Sequence, residues 1–283
     1  LPQTRTLGDL NVKKFYVRRA FRIGLPALIA IIIYESLKIM TLDGINKTVF
    51  WSVICEAIYY ALYPLILILG RRIGWKLLIM AAYLAAIVLC LIHLQLIQDP
   101  DRGYVALEWK TFIVGLPCWI LGCWLAENRA KFSQLKFGEI WAWRATIFIT
   151  AFCLNAARFH VHSVFASTCI TLDIFALLAT AWIGFELSTA KKLGVNSLLE
   201  RTGKWSFSIY LIHPLGGPVL ALIGIYEVQA SETYLLFRVG FCLLASYCFY
   251  LAVERPAHKL AIAASRYKFF MEKPTVFADP VAK

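Results

Sequence analysis

The chain has 283 residues, 60% of them hydrophobic and 16% charged, with a formal net charge of +12. A soluble domain carries roughly 45–50% apolar and about 25% charged residues, so this composition excludes an ordinary globular enzyme and fits side chains that face lipid or one another. The positive charge alone would suit a nucleic-acid binder; its placement along the chain argues for no nucleic-acid partner.

The first residue is Leu1, which reads as the start of a processed product or of a piece of a longer chain. The first 20 residues are polar and basic and lack a signal-peptide pattern. Arg18, Arg19 and Arg22 then lie where the chain enters its first apolar window, about 21–40. Such a cluster anchors topology against anionic headgroups. Guanidinium groups also grip phosphate in bidentate fashion, so the same residues suit a clamp for a phosphorylated donor.

A second window covers 49–69 and contains FWSVICEAIYYALYP, residues 50–64. Positions three, four and seven apart share a helix face, which predicts one polar stripe of Ser52, Glu56, Tyr59, Tyr60 and Tyr63. A carboxyl group inside a span costs at least ~2.5–3.5 kcal/mol on insertion scales, so Glu56 is a functional candidate by default. At 1.5 Å per residue it lies roughly 10 Å below the outer edge. The alternative is a structural ion pair, with Arg238 as partner.

Further windows follow near 75–97, 110–126, 140–157 and 163–187. Asp173 in the last of these reads as a helix–helix contact, and His93, His160 and His162 sit near the outer face without a pattern of their own. The seventh window, 205–227, contains WSFSIYLIHPLGGP, residues 205–218. Ser206, Tyr210 and His213 share a face, and Pro214, Gly216, Gly217 and Pro218 loosen the helix just beyond. A histidine at a broken helix suits a proton carrier or an acyl-group contact. It equally suits a hydrogen bond to the carbonyl that Pro214 leaves free. The eighth window, 233–253, precedes a polar tail.

Each window is about as long as a hydrocarbon core requires and should be helical, because lipid offers no partner to an open backbone group. The expectation is an all-α, polytopic membrane helix bundle of about eight transmembrane helices. Its domain would span 1–260 with a cytoplasmic tail over 261–283. With both ends inside, 22 Lys and Arg fall in inner segments and 5 in outer loops. That asymmetry sets an N-in, C-in orientation and accounts for the net charge.

The eight cysteines all fall in apolar runs without CxxC pairs or zinc spacing, which predicts buried free thiols, no disulfide and no metal. Phosphate-loop, GxSxG and HExxH motifs do not occur, which argues against an ATP-driven pump or a hydrolase.

Three patches in this order resemble the acyltransferase-3 family, membrane-bound acyltransferases that modify bacterial surface sugars. Arg19-Ala20-Phe21-Arg22 with Pro26 is similar to the family's arginine motif. Trp51, Ser52, Glu56, Tyr60 and Pro64 resemble its second motif, and Ser206, Ser208, Tyr210, Leu211 and His213 its late histidine motif. Glu254-Arg255-Pro256 also fits. The resemblance covers about residues 18–260. Family members have ten spans, with a histidine taken as the base in the first; this chain begins where the third family span would, so the first two helices and that base have no counterpart here.

The resemblance implies a multi-pass protein of the bacterial inner (cytoplasmic) membrane. It implies transfer of an acyl group, acetyl foremost, from cytosolic acyl-CoA to a hydroxyl of a cell-surface or exported carbohydrate. Acyl-CoA is then a co-substrate, with no bound cofactor, and the bilayer is the third partner. Glu56 and His213 would be the catalytic candidates, Arg19 and Arg22 would hold the CoA phosphates, and Trp51, Tyr60 and Tyr210 would line the substrate path. The expectation for this chain by itself is inactivity. A transporter or flippase of a sugar or lipid-linked substrate is the rival, and would call for an inverted repeat between the halves. An acyltransferase built on an Asn/His pair would need Asn155 and His213 in a different context, and a structural scaffold is a third reading.

Overall fold

The structure is a computed structural model that describes residues 11–39, 48–97, 103–161, 163–193, 202–226 and 232–265. His162, the basic residues Arg5, Lys47, Arg102, Arg201, Arg266, Lys268, Lys273 and Lys283, and the expected tail beyond Ser265 lie outside the described residues. All regular elements among the described residues are helical. Six of the helices are long and apolar enough to cross a membrane. The first and seventh windows differ. The apolar part of the first is Leu25–Ser36, twelve residues or about 18 Å of helix. The seventh is a shorter apolar stretch, Ser206–Leu222, with a break in it.

The chain falls into two compact units. One comprises the described residues from Ile58 to Leu193. It contains the remainder of α3 (Phe50–Arg72) after Ala57, then α4 (Trp75–Ile92), the single turn α5 (Leu94–Ile97), α6 (Thr111–Asn128), α7 (Phe137–His160) and α8 (Thr168–Leu193). Helix α4 packs on α6, and α8 packs on both α6 and α7. The buried residues of α4 are Ala82, Ala86 and Cys90. Steps of four put these small side chains on one face, where a helix in lipid, lacking a hydrophobic drive, associates by close packing. Helix α7 buries Ile140, while Phe148 and Phe152 are 73% and 66% exposed. An apolar flank of that extent is lipid-facing surface.

The other unit joins described residues from both sides of it in the chain, 11–57 and 202–265. It contains α1 (Val12–Arg19), a π-helical turn at Ala20–Gly24, α2 (Leu25–Ser36) and the start of α3. From the far end come α9 (Ser206–Ile212), a 3-10 turn at His213–Leu215, α10 (Gly216–Leu222), α11 (Glu232–Phe249), a second π-helical turn at Tyr250–Glu254, and α12 (Arg255–Ala264). Regular structure thus continues four residues past the expected tail boundary at 260. The core joins Ala27, Ala30 and Tyr34 of α2 to Phe50 and Val53 of α3, Leu211 and Ile212 of α9, Leu215, and Phe249 of α11. Ala257, Ala261 and Ser265 form another small-residue face at steps of four. This face lets α12 lie against α1 and the first π turn, and Arg18 Nε donates to Ser265 Oγ at 3.0 Å.

Candidate functional site

Within the terminal unit, α9 meets the beginning of α3 through polar groups. The Tyr210 hydroxyl donates to the Val49 carbonyl at 2.7 Å and touches the Ser52 hydroxyl. The Ser52 hydroxyl also reaches the Val49 carbonyl, at 3.3 Å, so the two hydroxyls and this carbonyl form one hydrogen-bonded cluster. Glu56 lies one turn along α3, on the Ser52 face. Ser52 and Tyr210, residues of two separate sequence patches, therefore meet, with Glu56 one helical turn further along α3.

His213 follows at the break after α9. Pro214 has no N–H to bond the Tyr210 carbonyl four residues back. His213 Nδ1 takes that carbonyl at 2.9 Å, with the Ile209 carbonyl at 3.2 Å. The alternative reading, in which the imidazole repairs the proline break, is what the geometry displays. The same bond makes Nδ1 the donor in an exposed ring. The turn is held from two further helices. The Tyr34 hydroxyl, 1% exposed, donates to the Leu211 carbonyl at 2.9 Å. Cys242 Sγ of α11 donates to the His213 carbonyl at 3.3 Å. The sequence pattern did not single out Tyr34 as functional. Its signal was a lone hydroxyl on an apolar face, at steps of four from Pro26 and Ala30.

Arg19 and Arg22 flank and enter the first π turn. Arg22 is exposed and Arg19 half-buried, with its guanidinium 5.4 Å from the Phe15 ring centre. Twelve residues separate Arg22 from Tyr34, roughly 18 Å of helix, so the cations and the Tyr34–Leu211 contact occupy opposite ends of one helical run. Trp51 is half-buried in the first turn of α3.

The tyrosine part of the expected stripe behaves differently. Tyr59, Tyr60 and Tyr63 belong to the other unit and surround Trp119 of α6 at 5.5, 6.1 and 5.8 Å between ring centres. Tyr59 also donates to the Phe112 carbonyl at 2.7 Å. Tyr60, expected on the substrate path, is therefore placed among packing rings.

The remaining intramembrane ionisable groups of that unit join helices. Arg144 of α7 pairs with Glu186 of α8 through Nη2 and Nε, and its guanidinium stacks 4.6 Å from the Trp141 ring centre. Buried Asp173 accepts from Cys118 Sγ at 3.2 Å, and its backbone carbonyl accepts from Tyr83 at 2.8 Å. That links α4, α6 and α8, as the helix-contact reading expects. Lys110 donates to His93 Nε2 at 2.8 Å, which leaves His93 Nδ1 to donate to the Leu89 carbonyl at 3.1 Å. Arg238, the suggested partner of Glu56, runs along Gly216 and Gly217. The eight cysteines are free thiols. Among the described residues no three His, Cys, Asp or Glu side chains converge as a metal site would require.

The family model described as Acyltransferase domain matches residues 4–254, most of the chain. The chain belongs to the acyltransferase-3 family. A curated relative of this acyltransferase-3 chain, Acyltransferase MdmB of Streptomyces mycarofaciens, is 24% identical over 223 residues, covering 74% of this chain and 57% of the relative. The chain thus spans little more than half the length of that relative. No solved structure matches it. The matched region includes Ser52, Glu56, Tyr210 and His213.

Proposed function

We propose that this chain carries the membrane core of an acyltransferase that moves an acyl group, acetyl in the simplest case, from cytosolic acyl-CoA to a hydroxyl of an exported or surface carbohydrate. The bacterial inner membrane is the proposed location, with both chain ends on the cytoplasmic side. The observation that carries the reading is the contact of Ser52 with Tyr210, one helical turn from Glu56 and beside the His213 turn, in a chain whose family is an acyltransferase family.

In the proposed reaction the acceptor oxygen attacks the thioester carbonyl and forms the new C–O bond. The C–S bond then breaks, and coenzyme A leaves as a thiolate that takes up a proton. A base must accept the acceptor's hydroxyl proton, and donors must steady the oxyanion that forms. Arg19 and Arg22 would hold the CoA phosphates at the basic end. Glu56 would orient the base or the acceptor hydroxyl. His213 Nε2 and Tyr210 would line the acyl path, with Trp51 bordering the substrate route.

The test uses the complete coding sequence, expressed in membranes. Glu56→Ala should abolish carbohydrate acylation while the protein accumulates normally. Acylation at the wild-type rate would remove Glu56 from the site.

A further inference from the structure

Helix α9, which bears Tyr210 and presents His213, has seven residues and lacks a side-chain cap of its own at Trp205. A helix that short does not hold its own conformation, and its first-turn N–H groups need acceptors. The acceptor comes from 46 residues away. Glu254 Oε2 takes the Ser208 backbone N–H at 3.1 Å and also the Ser208 hydroxyl. Ser208 is 0% exposed. With Trp205 as the cap position, Ser208 is the third helical residue, the donor that a capping side chain ordinarily satisfies.

The backbone of Glu254 explains how it reaches there. It is the last residue of the π-helical turn Tyr250–Glu254, between α11 and α12. A π turn inserts a residue into an α-helix, and one residue is about 100° of rotation. Without the insertion, the side chain at 254 would leave the helix on a different face. α9 also packs along α11, so the carboxylate arrives at α9 from a helix already beside it.

We propose that Glu254 is a positioning residue: a carboxylate cap delivered in trans that sets the tilt of α9, and through it the placement of Tyr210 against Ser52 and of His213 at the break. The inference rests on the acyltransferase reading for its kinetic consequences and is independent of it for its structural ones. Three clamps then fix the short helix. Glu254 holds its start, Tyr210 ties its middle to Ser52 and Val49, and Tyr34 holds the Leu211 carbonyl near its end.

The test compares wild type, Glu254→Ala, Glu254→Gln and Ser208→Ala in the complete protein. It reads kcat and KM for acyl-CoA, together with amide hydrogen exchange over residues 206–213. Displacements near 1 Å cost on the order of 100-fold in rate, so Glu254→Ala should lower kcat by ~10–100-fold, leave KM within about twofold, and speed exchange in α9. Glu254→Gln still offers an oxygen to the Ser208 N–H and should recover most of the rate and the protection. Ser208→Ala keeps that N–H bond and should lose a few-fold in kcat; if Glu254→Ala fails to accumulate, this pair of variants decides. Unchanged kcat or unchanged exchange in Glu254→Ala overturns the proposal. So does a Glu254→Gln protein as inactive as the alanine variant with wild-type exchange, which would place the charge itself in the chemistry. A wild-type protein that transfers no acyl group, while Glu254→Ala still deprotects α9, would leave the cap standing and sink the acyltransferase reading.

Discussion

Gly216→Ala offers a sharp structural test of how the His213 turn is held. Gly216 opens α10, directly after the 3-10 turn. A Cβ placed there would lie 2.3 Å from Cys242 Sγ and 3.3 Å from Arg238 Cγ. Non-bonded heavy atoms sit comfortably at about 3.5–4.0 Å, so one methyl group forces α10 and α11 apart locally by more than about 1 Å or drives Cys242 from its rotamer. Overpacking of this kind costs about 1–3 kcal/mol. The displaced thiol also gives up its bond to the His213 carbonyl, a weak one that adds less than ~1 kcal/mol. A loss near 2 kcal/mol corresponds to a Tm drop of about 4–8 °C by the scaling for larger domains, readable by thermal unfolding in detergent. The control is Cys242→Ala, which removes the obstructing sulfur. In that background Gly216→Ala should cost under about 1 kcal/mol. An equal Tm drop in both backgrounds would refute the reasoning.

Tyr210→Phe and Ser52→Ala each remove a member of one hydrogen-bonded cluster. Each should destabilise by about 1 kcal/mol, with the double variant costing clearly less than the sum in a double-mutant cycle; simple additivity would show the contact to be inert. Arg144→Met strands Glu186, and because both partners keep about a third of their exposure (33% and 28%), the loss should fall at or below the lower end of the buried-pair range, up to ~3 kcal/mol. Converting Glu186 to Met as well should restore most of it, and a double variant as unstable as the single would contradict the pairing. Arg22→Gln should raise KM for acyl-CoA about tenfold, the equivalent of one charge-assisted contact at 1.4 kcal/mol per decade, with kcat within twofold. A fall in kcat at constant KM would place this arginine elsewhere than on the donor.

The helical character of the chain was legible because lipid leaves the backbone a single local solution, and the apolar windows announce it by length. Breaks were legible where a residue type enforces them: Pro214 frees the Tyr210 carbonyl, and His213 answers within the same turn. The two π turns, Ala20–Gly24 and Tyr250–Glu254, contain no proline, but each ends two residues before one, Pro26 and Pro256, whose missing N–H frees a carbonyl inside the turn; their spacing alone reads as ordinary helix. The stripe on α3 was half legible. Ser52 and Glu56 are placed as their spacing implies, but Tyr59, Tyr60 and Tyr63 are amphipathic rings that satisfy an aromatic neighbour as readily as a polar site, and Trp119 is 56 residues or more away in the chain. Pairings such as Tyr34 with Leu211 and Glu254 with Ser208 depend on which helices become neighbours. Periodicity within one segment carries no information about that.

The proposed reaction carries an acyl group across the bilayer. The decisive measurement supplies radiolabelled acetyl-CoA to the inner face of sealed membrane vesicles containing the complete protein, and counts label on carbohydrate. Wild type should place label on carbohydrate hydroxyls through an alkali-labile ester, with Glu56→Ala and His213→Ala at background. Carbohydrate that crosses the membrane unlabelled, or labelling that persists undiminished in both variants, would contradict it.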